Sequence, residues 1–338
     1  MKQRSYELDL LRVLAIIMVL YNHRPSFTWY ENVPVYSFRY CILVILSLIS
    51  RCGPVVFFMI SGILLLGKNE SIFDIIKKRL LRMIIVMIGL ALYATWIWGT
   101  DDNFFIILFT RLNWYLYAYC AYLIMLPLIR RMCIGLSVQE IKYFIIVAFF
   151  FYFVDGLLGL HGLYNNISMY SILFTANWAS NCWHVLFPVL GFVLIDLYKR
   201  ERKNVIIFCL FVCFINIITT IVEVGIDITN NYQNVEMILQ RNVFGVSCGV
   251  IVLVYELLHY FEMNKIVKKL IAEISGCTFG IFLIETHTSC SAIIFEKVQS
   301  VVCYNNYVIS VISIIFELII YFILIYILRL IPFVRKII

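Results

Sequence analysis

Residues 308–331 read VISVISIIFELIIYFILIYILRLI, an apolar run that contains one carboxylate, Glu317, and one arginine, Arg329. About 20 apolar residues in a helix cross a hydrocarbon layer roughly 30 Å thick. A helix also satisfies its backbone hydrogen bonds internally, which a membrane-spanning segment must do. This run therefore predicts a transmembrane helix.

Similar runs recur along the chain. They predict ten spans, near residues 8–25, 40–66, 76–98, 113–131, 141–160, 178–198, 204–224, 241–261, 272–295 and 308–331. The second contains Arg51-Cys52-Gly53-Pro54, which predicts a kink or a division into two helices. The predicted fold class is an all-α, polytopic transmembrane bundle of about ten helices, and residues 1–338 are predicted to form a single membrane-embedded domain.

The composition agrees with this class. Of the 338 residues, 63% are hydrophobic and 14% charged, against roughly 45–50% and about 25% in soluble domains. A soluble globular protein is excluded. The sequence has no GxGxxG, Walker-type or HExxH motif, so nucleotide-hydrolysing and zinc-protease functions have no support. The 11 cysteines lack metal-ligand spacing and are interpreted as small buried hydrophobes, with no metal expected.

The basic residues predict the orientation. With a cytoplasmic N-terminus, 20 of the 27 Lys and Arg residues fall on the inner side and 6 on the outer, with Arg12 inside the first span. This bias follows the positive-inside rule and predicts that both termini are cytoplasmic. The net charge of +7 therefore reflects topology and a lipid-bilayer partner, and no nucleic-acid partner is expected. The N-terminus shows no cleavage site, so we expect the first helix to be retained.

Two ionisable residues share the first predicted helix. Arg12 and His23 are 11 positions apart, which places them on one side of a helix and about 16 Å apart along its axis. One extended substrate could contact both. For His23, a catalytic role and an interfacial position are both open.

Five short motifs follow one another along the chain. They are Glu7-Leu8-Asp9-Leu10-Leu11-Arg12 with Asn22-His23, Pro54-Val55-Val56-Phe57-Phe58-Met59-Ile60-Ser61-Gly62, Lys78-Arg79-Leu80-Leu81-Arg82, Trp114-Tyr115-Leu116 with Pro127, and Phe279-Gly280-Ile281-Phe282-Leu283-Ile284. This series resembles the acyltransferase-3 family, bacterial integral-membrane acyltransferases of the O-acetyltransferase type. One position departs from the family pattern: Glu285 stands where a histidine is usual, and His287 follows two residues later.

The resemblance implies a reaction and a location. An acyl group, usually acetyl, passes from cytoplasmic acetyl-CoA to a hydroxyl of a cell-surface or lipid-linked saccharide. The expected location is the bacterial cytoplasmic (inner) membrane, with several passes. His23 is the predicted general base, because neutral imidazole accepts a proton near neutral pH. A transient acyl-imidazole on His23 is the alternative.

The resemblance also assigns the donor site. Arg12, Arg79 and Arg82 are predicted to bind coenzyme A, because guanidinium groups pair with phosphate oxygens. For Arg79 and Arg82 the alternative is anchoring to anionic lipid.

Further residues are candidates for the acceptor side. Ser61 is a supporting residue, with close helix packing as its alternative. Trp114 and Tyr115 can stack on a sugar or belong to an interfacial aromatic belt. Glu285 can orient His23 or bond a neighbouring helix. A last group can line an acceptor cleft or be solvated; it consists of Asp155, His161, His184, Glu223 and Asp227.

Two other function classes compete with the acyltransferase. A secondary transporter or polysaccharide export component would also have many helices and intramembrane charges. A structural partner in a glycan-synthesis complex would use its charges to hold helices together. Such a partner would tolerate His23→Ala.

Overall fold

The computed structural model describes residues 5–97, 103–160, 183–231, 235–288, 290–301 and 307–337. This part of the chain is all-helical, with 88% helix and no strand. The predicted all-α fold class is confirmed.

The α-helices are numbered in chain order. They are α1 (Tyr6–Asn22), α2 (Phe38–Arg51), α3 (Gly53–Leu65), α4 (Ile72–Ile75), α5 (Leu81–Ile97), α6 (Phe104–Ile106), α7 (Trp114–Cys133), α8 (Val138–Leu160), α9 (Trp183–Arg200), α10 (Arg202–Asn230), α11 (Val235–Arg241), α12 (Val243–Tyr260), α13 (Lys265–His287), α14 (Cys290–Val301), α15 (Tyr307–Leu328) and α16 (Pro332–Ile337). Pro25–Asn32 forms a 3₁₀ segment, and Ile76–Leu80 and Ile107–Arg111 form π-turns.

Within the described residues, five segments are long and apolar enough to cross a membrane. They are Phe38–Leu65, Trp114–Cys133, Arg202–Asn230, Val243–Tyr260 and Val308–Leu328. The count of ten spans and the cytoplasmic position of both termini stay predictions.

Two predicted spans show how polar residues and proline set helix ends. The second divides as expected: α2 ends at Arg51 and α3 begins at Gly53, with Pro54 in the first turn, where its missing N–H costs no hydrogen bond. The ninth, predicted at 272–295, differs at both ends, since α13 runs from Lys265 to His287. Its first turns carry lysines, which an apolar-run criterion leaves out.

The chain forms two compact units. Unit 1 comprises Met1–Leu66 and Cys133–Ala272, and unit 2 comprises Gly67–Met132 and Glu273–Ile338. Helix α13 therefore begins in unit 1 and continues in unit 2.

In unit 1, α3 and α9 pack with almost no space between their backbones. A Cβ added to Gly62 would lie 1.8 Å from the carbonyl oxygen of Pro188, and one added to Gly191 would lie 2.4 Å from that of Met59. Small residues permit this approach between membrane helices. Gly62 thus serves close packing.

Candidate active site

His23 lies at the end of α1, in unit 1, and is exposed. Its backbone N–H donates to the Leu20 carbonyl at 3.2 Å, and Arg24 donates to the His23 carbonyl at 3.3 Å. The predicted span 8–25 is too long at this end. Arg24 precedes Pro25 and is extended (φ −108°, ψ 152°), because a residue before proline is disfavoured in the helical region.

Arg12 is held by its own helix. Its Nη1 donates to Oδ1 of Asp9 at 3.1 Å, and Asp9 is buried. The i, i+3 spacing of the two residues was the available signal for this pair. The Asp9 carboxylate thereby fixes the guanidinium that the sequence assigned to the donor.

Arg51 contacts Asn22, the residue before His23. Arg51 Nη1 donates to Oδ1 of Asn22 at 3.2 Å, and its Nη2 donates to the carboxylate of Glu236. Its guanidinium carbon lies 5.8 Å from the centroid of the Phe27 ring, in a cation–π contact. No motif marks this contact in the sequence, because nothing local connects residues 22, 51 and 236.

Ser61 donates a hydrogen bond to the carbonyl of Phe57, one turn earlier on α3, at 2.9 Å. This back-bonding is common for serine inside helices. It agrees with a supporting role and with the close packing at Gly62. The substrate-binding assignment of Ser61 stays a prediction.

In unit 2, Arg79 is held by Glu70. Its Nε donates to Oε2 of Glu70 at 3.2 Å and its Nη2 to Oε1 at 2.7 Å, a bidentate pair. Arg130 approaches the same residue, with Nη1 donating to the Glu70 carbonyl at 2.9 Å and Nη2 lying 3.7 Å from Oε2. The Arg79 guanidinium holds the pKa of the Glu70 carboxyl below its ordinary value of 4.5.

Arg82, the second arginine of the Lys78–Arg82 motif, faces Phe279, the first residue of the motif at residues 279–284. The Arg82 guanidinium carbon lies 5.9 Å from the centroid of the Phe279 ring. Arg82 and Arg79 interact electrostatically with each other and both with Tyr119 of α7. The Lys78–Arg82 motif, α7 and the motif of residues 279–284 on α13 therefore meet within unit 2.

Trp114 and Tyr115 lie at the start of α7, and Tyr115 also contacts α13. The Tyr115 ring lies 5.3 Å from that of Phe282, edge to face, and 6.0 Å from that of Trp114. Trp114 and Tyr115 are partly exposed. Their substrate-binding assignment stays a prediction, and the packing of Tyr115 on α13 is the observed contact.

Glu285 is buried and accepts a hydrogen bond from the hydroxyl of Tyr321 on α15. The sequence leaves open whether Glu285 bonds a neighbouring helix or orients His23. The bond to a neighbouring helix is present, since Tyr321 belongs to α15. Glu285 belongs to unit 2 and His23 to unit 1, and the orienting role stays a prediction.

His287 is buried and joins α13 to the start of α7. Its Nε2 accepts from the backbone N–H of Asn113 at 3.0 Å. Its Nδ1 lies 2.6 Å from the hydroxyl of Thr286, which donates to the Phe282 carbonyl. Because Nε2 accepts, the proton of the neutral ring lies on Nδ1. His287 therefore orders the backbone before Trp114.

The predicted acceptor group is only partly described. Glu223 and Asp227 are each 3% exposed, so the solvated alternative is wrong for these two. The amide of Asn242 donates to Oε2 of Glu223 at 3.0 Å, which accounts for the burial of its carboxylate. The side chains of Asp155, His161 and His184 lie outside the described residues.

The described part of the chain is all-helical, and several of its helices are long and apolar enough to cross a bilayer, which indicates an integral membrane protein. The acyltransferase-3 family model, described as an acyltransferase domain, matches residues 5–333, nearly the entire chain. The chain therefore belongs to the acyltransferase-3 family, and it is a multi-pass membrane acyltransferase. No curated protein and no solved structure gives a significant match.

Proposed function

We propose that this acyltransferase transfers an acetyl group from cytoplasmic acetyl-CoA to a hydroxyl of a cell-surface or lipid-linked saccharide, at the cytoplasmic membrane of a bacterium. One observation carries the proposal: His23 presents an exposed imidazole at the end of α1, 11 positions after Arg12, in a chain that the family covers from residue 5 to 333. Ten spans with both termini in the cytoplasm would place the basic motif of Arg79 and Arg82 on the side of the donor.

The proposed chemistry needs one base. His23 takes the proton of the attacking hydroxyl while the hydroxyl oxygen bonds to the thioester carbonyl carbon. The carbon–sulfur bond then breaks, and the coenzyme A thiolate leaves and takes up a proton, while His23 gives up the proton that it accepted, directly or through water. Attack by His23 itself, giving an acyl-imidazole, is a variant of the same proposal. Glu285 is proposed to orient His23 and Ser61 to support the site.

Donor binding is assigned to arginines. Arg12, Arg79 and Arg82 are proposed to bind the phosphates of coenzyme A, since paired N–H donors match phosphate oxygens. Arg12 and Arg79 are each already held by a carboxylate, Asp9 and Glu70 respectively. Such support reduces the rotational freedom that binding would otherwise have to remove. Trp114 and Tyr115 are proposed to stack on the acceptor sugar.

Transfer of isotopic acetyl from labelled acetyl-CoA to envelope glycan tests the proposal. Membranes would contain equal amounts of wild type, His23→Ala or His259→Ala. His259 is also exposed, and its Nε2 lies 2.7 Å from Nη1 of Arg202, a residue that has no part in the proposed chemistry, so it is a matched control. We expect wild type and His259→Ala to label glycan at equal rates. The labelling rate of His23→Ala should be lower by at least about 100-fold, the usual effect of removing a general base.

Two results would contradict the proposal. Equal labelling by His23→Ala would remove His23 from the chemistry. Absence of labelling by wild type, with acceptor present, would favour transport or another acyl donor.

A further inference from the structure

The loop before α4 contributes a carboxylate to the basic motif of unit 2. Glu70 uses both carboxylate oxygens on one edge of the Arg79 guanidinium, the edge formed by Nε and Nη2. Within the described part of the chain, Nη1 of Arg79 makes no hydrogen bond. A guanidinium has five N–H donors in a rigid plane, so the edge formed by Nη1 and the second Nη2 hydrogen can bind another oxyanion in a bidentate manner.

Arg130 fixes this arrangement from α7. Its guanidinium donates to the Glu70 carbonyl and lies near the Glu70 carboxylate, so it holds the loop and adds a second positive charge beside Arg79. The side chain of Arg130 is only 9% exposed, whereas its neighbour Arg131 is exposed. Burial beside a carboxylate and a carbonyl is typical of a built site and not of a solvated surface charge.

The charges and their burial indicate the ligand. Arg79 and Arg130 both lie against Glu70, and Arg82 interacts electrostatically with Arg79, so three guanidinium groups gather here, and guanidinium groups suit the oxygens of a phosphate dianion. Lys77 and Lys78 are exposed and lie on the same stretch, where they suit lipid headgroups. Arg79 and Arg130 are less exposed, at 28% and 9% of their side chains, so a phosphate that enters the protein fits them better.

We propose that Glu70 and Arg130, which lie outside the basic motif, complete the phosphate site for the acyl donor. Glu70 is a positioning residue: it binds one edge of the Arg79 guanidinium and so orients the other edge, formed by Nη1 and Nη2, toward the phosphate. Arg130 holds Glu70 and adds its charge to the site. The inference rests on the proposed function, because that function assigns Arg79 and Arg82 to coenzyme A.

Binding of coenzyme A to the purified full chain in nanodiscs tests this inference, by isothermal titration. The variants are Glu70→Gln, Arg130→Gln, Arg79→Gln and the control Arg131→Gln. We expect Glu70→Gln and Arg130→Gln to weaken binding about five- to tenfold, the effect of losing one charge-assisted contact, and Arg131→Gln to bind as wild type. In acetyl transfer, KM for acetyl-CoA should rise while kcat stays within about twofold, as for loss of uniform binding. A role only in folding would lower the amount of active protein and leave KM unchanged, which would overturn the inference.

The remaining outcomes separate the two proposals. If Arg79→Gln loses binding and Glu70→Gln and Arg130→Gln do not, the inference is wrong and the donor site stands. If Arg79→Gln also binds as wild type, the donor site itself is wrong. If the losses occur only in nanodiscs with anionic lipid, the cluster binds headgroup phosphate and the inference is wrong. Repeating the titration with 3′-dephospho-coenzyme A shows which phosphate is bound. If the variants then bind this ligand as tightly as wild type does, the site holds the 3′-phosphate; if they still bind it more weakly, the site holds the diphosphate.

Discussion

The hydroxyl of Tyr321 on α15 donates a hydrogen bond to the carboxylate of Glu285 on α13, and both side chains are buried. A buried carboxylate requires such donors, because leaving it unpaired in an apolar environment is costly. This bond gives Glu285 a structural partner, while the proposed function gives it a second role in orienting His23. Two substitutions separate the roles.

Glu285→Gln and Tyr321→Phe should differ in their effect on catalysis. Tyr321→Phe removes one donor from a buried carboxylate and should lower the free energy of unfolding by about 1–3 kcal/mol, with the transfer rate within about twofold of wild type. Glu285→Gln should lower kcat by at least about tenfold, the effect of losing a group that orients a catalytic side chain. Thermal unfolding in detergent and acetyl-transfer kinetics measure both. Equal kinetic losses in the two variants would leave Glu285 with a packing role only.

Gly62→Ala should destabilise the protein, and Gly89→Ala should not. The new methyl at residue 62 would meet the Pro188 backbone, so α3 and α9 must separate. We expect a loss of at least about 1–3 kcal/mol, as for overpacked cores. At Gly89 nothing lies within 4 Å, and α5 should gain roughly 0.5–1 kcal/mol from the better helix former. Thermal midpoints of the two variants in the same detergent test this, and shifts of the same sign would contradict it.

The sequence predicts features that repeat along one helix or depend on adjacent residues. Long apolar runs predict the helices, and Pro54 predicts the start of α3. Pro25 was also a signal for the end of α1, although the predicted span ran to residue 25. Contacts between distant segments have no such signal. Glu70 and Arg130 meet although 60 positions separate them, and Asn113 and His287 meet although 174 positions separate them.

Asn242→Ala should be strongly destabilising. The Asn242 amide donates to Glu223, and its Oδ1 accepts from Nδ2 of Asn216 at 3.2 Å. All three side chains are buried, so the substitution leaves polar groups without these bonds and should cost about 2–4 kcal/mol. The control is Asn204→Ala, which removes an exposed asparagine of α10 that donates to Glu201. Unfolding by denaturant compares them, and similar midpoints would show that the Glu223 network contributes little.

The ion pair of Glu70 and Arg79 should make stability depend on acidic pH. Because Arg79 lowers the pKa of Glu70 in the folded protein, the pair stabilises the fold at pH above the ordinary value of 4.5. This contribution is lost as the pH falls through the lowered pKa, where the folded state also takes up the proton.

Glu70→Gln should therefore unfold at a lower temperature than wild type at pH 7, and the difference should shrink as the pH falls below 4.5. Subtracting the two melting curves removes the effect of all other carboxylates, which titrate in both proteins. Arg79→Gln should give the same convergence, since it removes the cause of the lowered pKa. Arg131→Gln, whose exposed side chain lies next to Arg130, should follow the wild-type curve at every pH. A constant difference between wild type and Glu70→Gln from pH 7 to pH values well below 4.5 would show that Glu70 acts by packing and not through its charge.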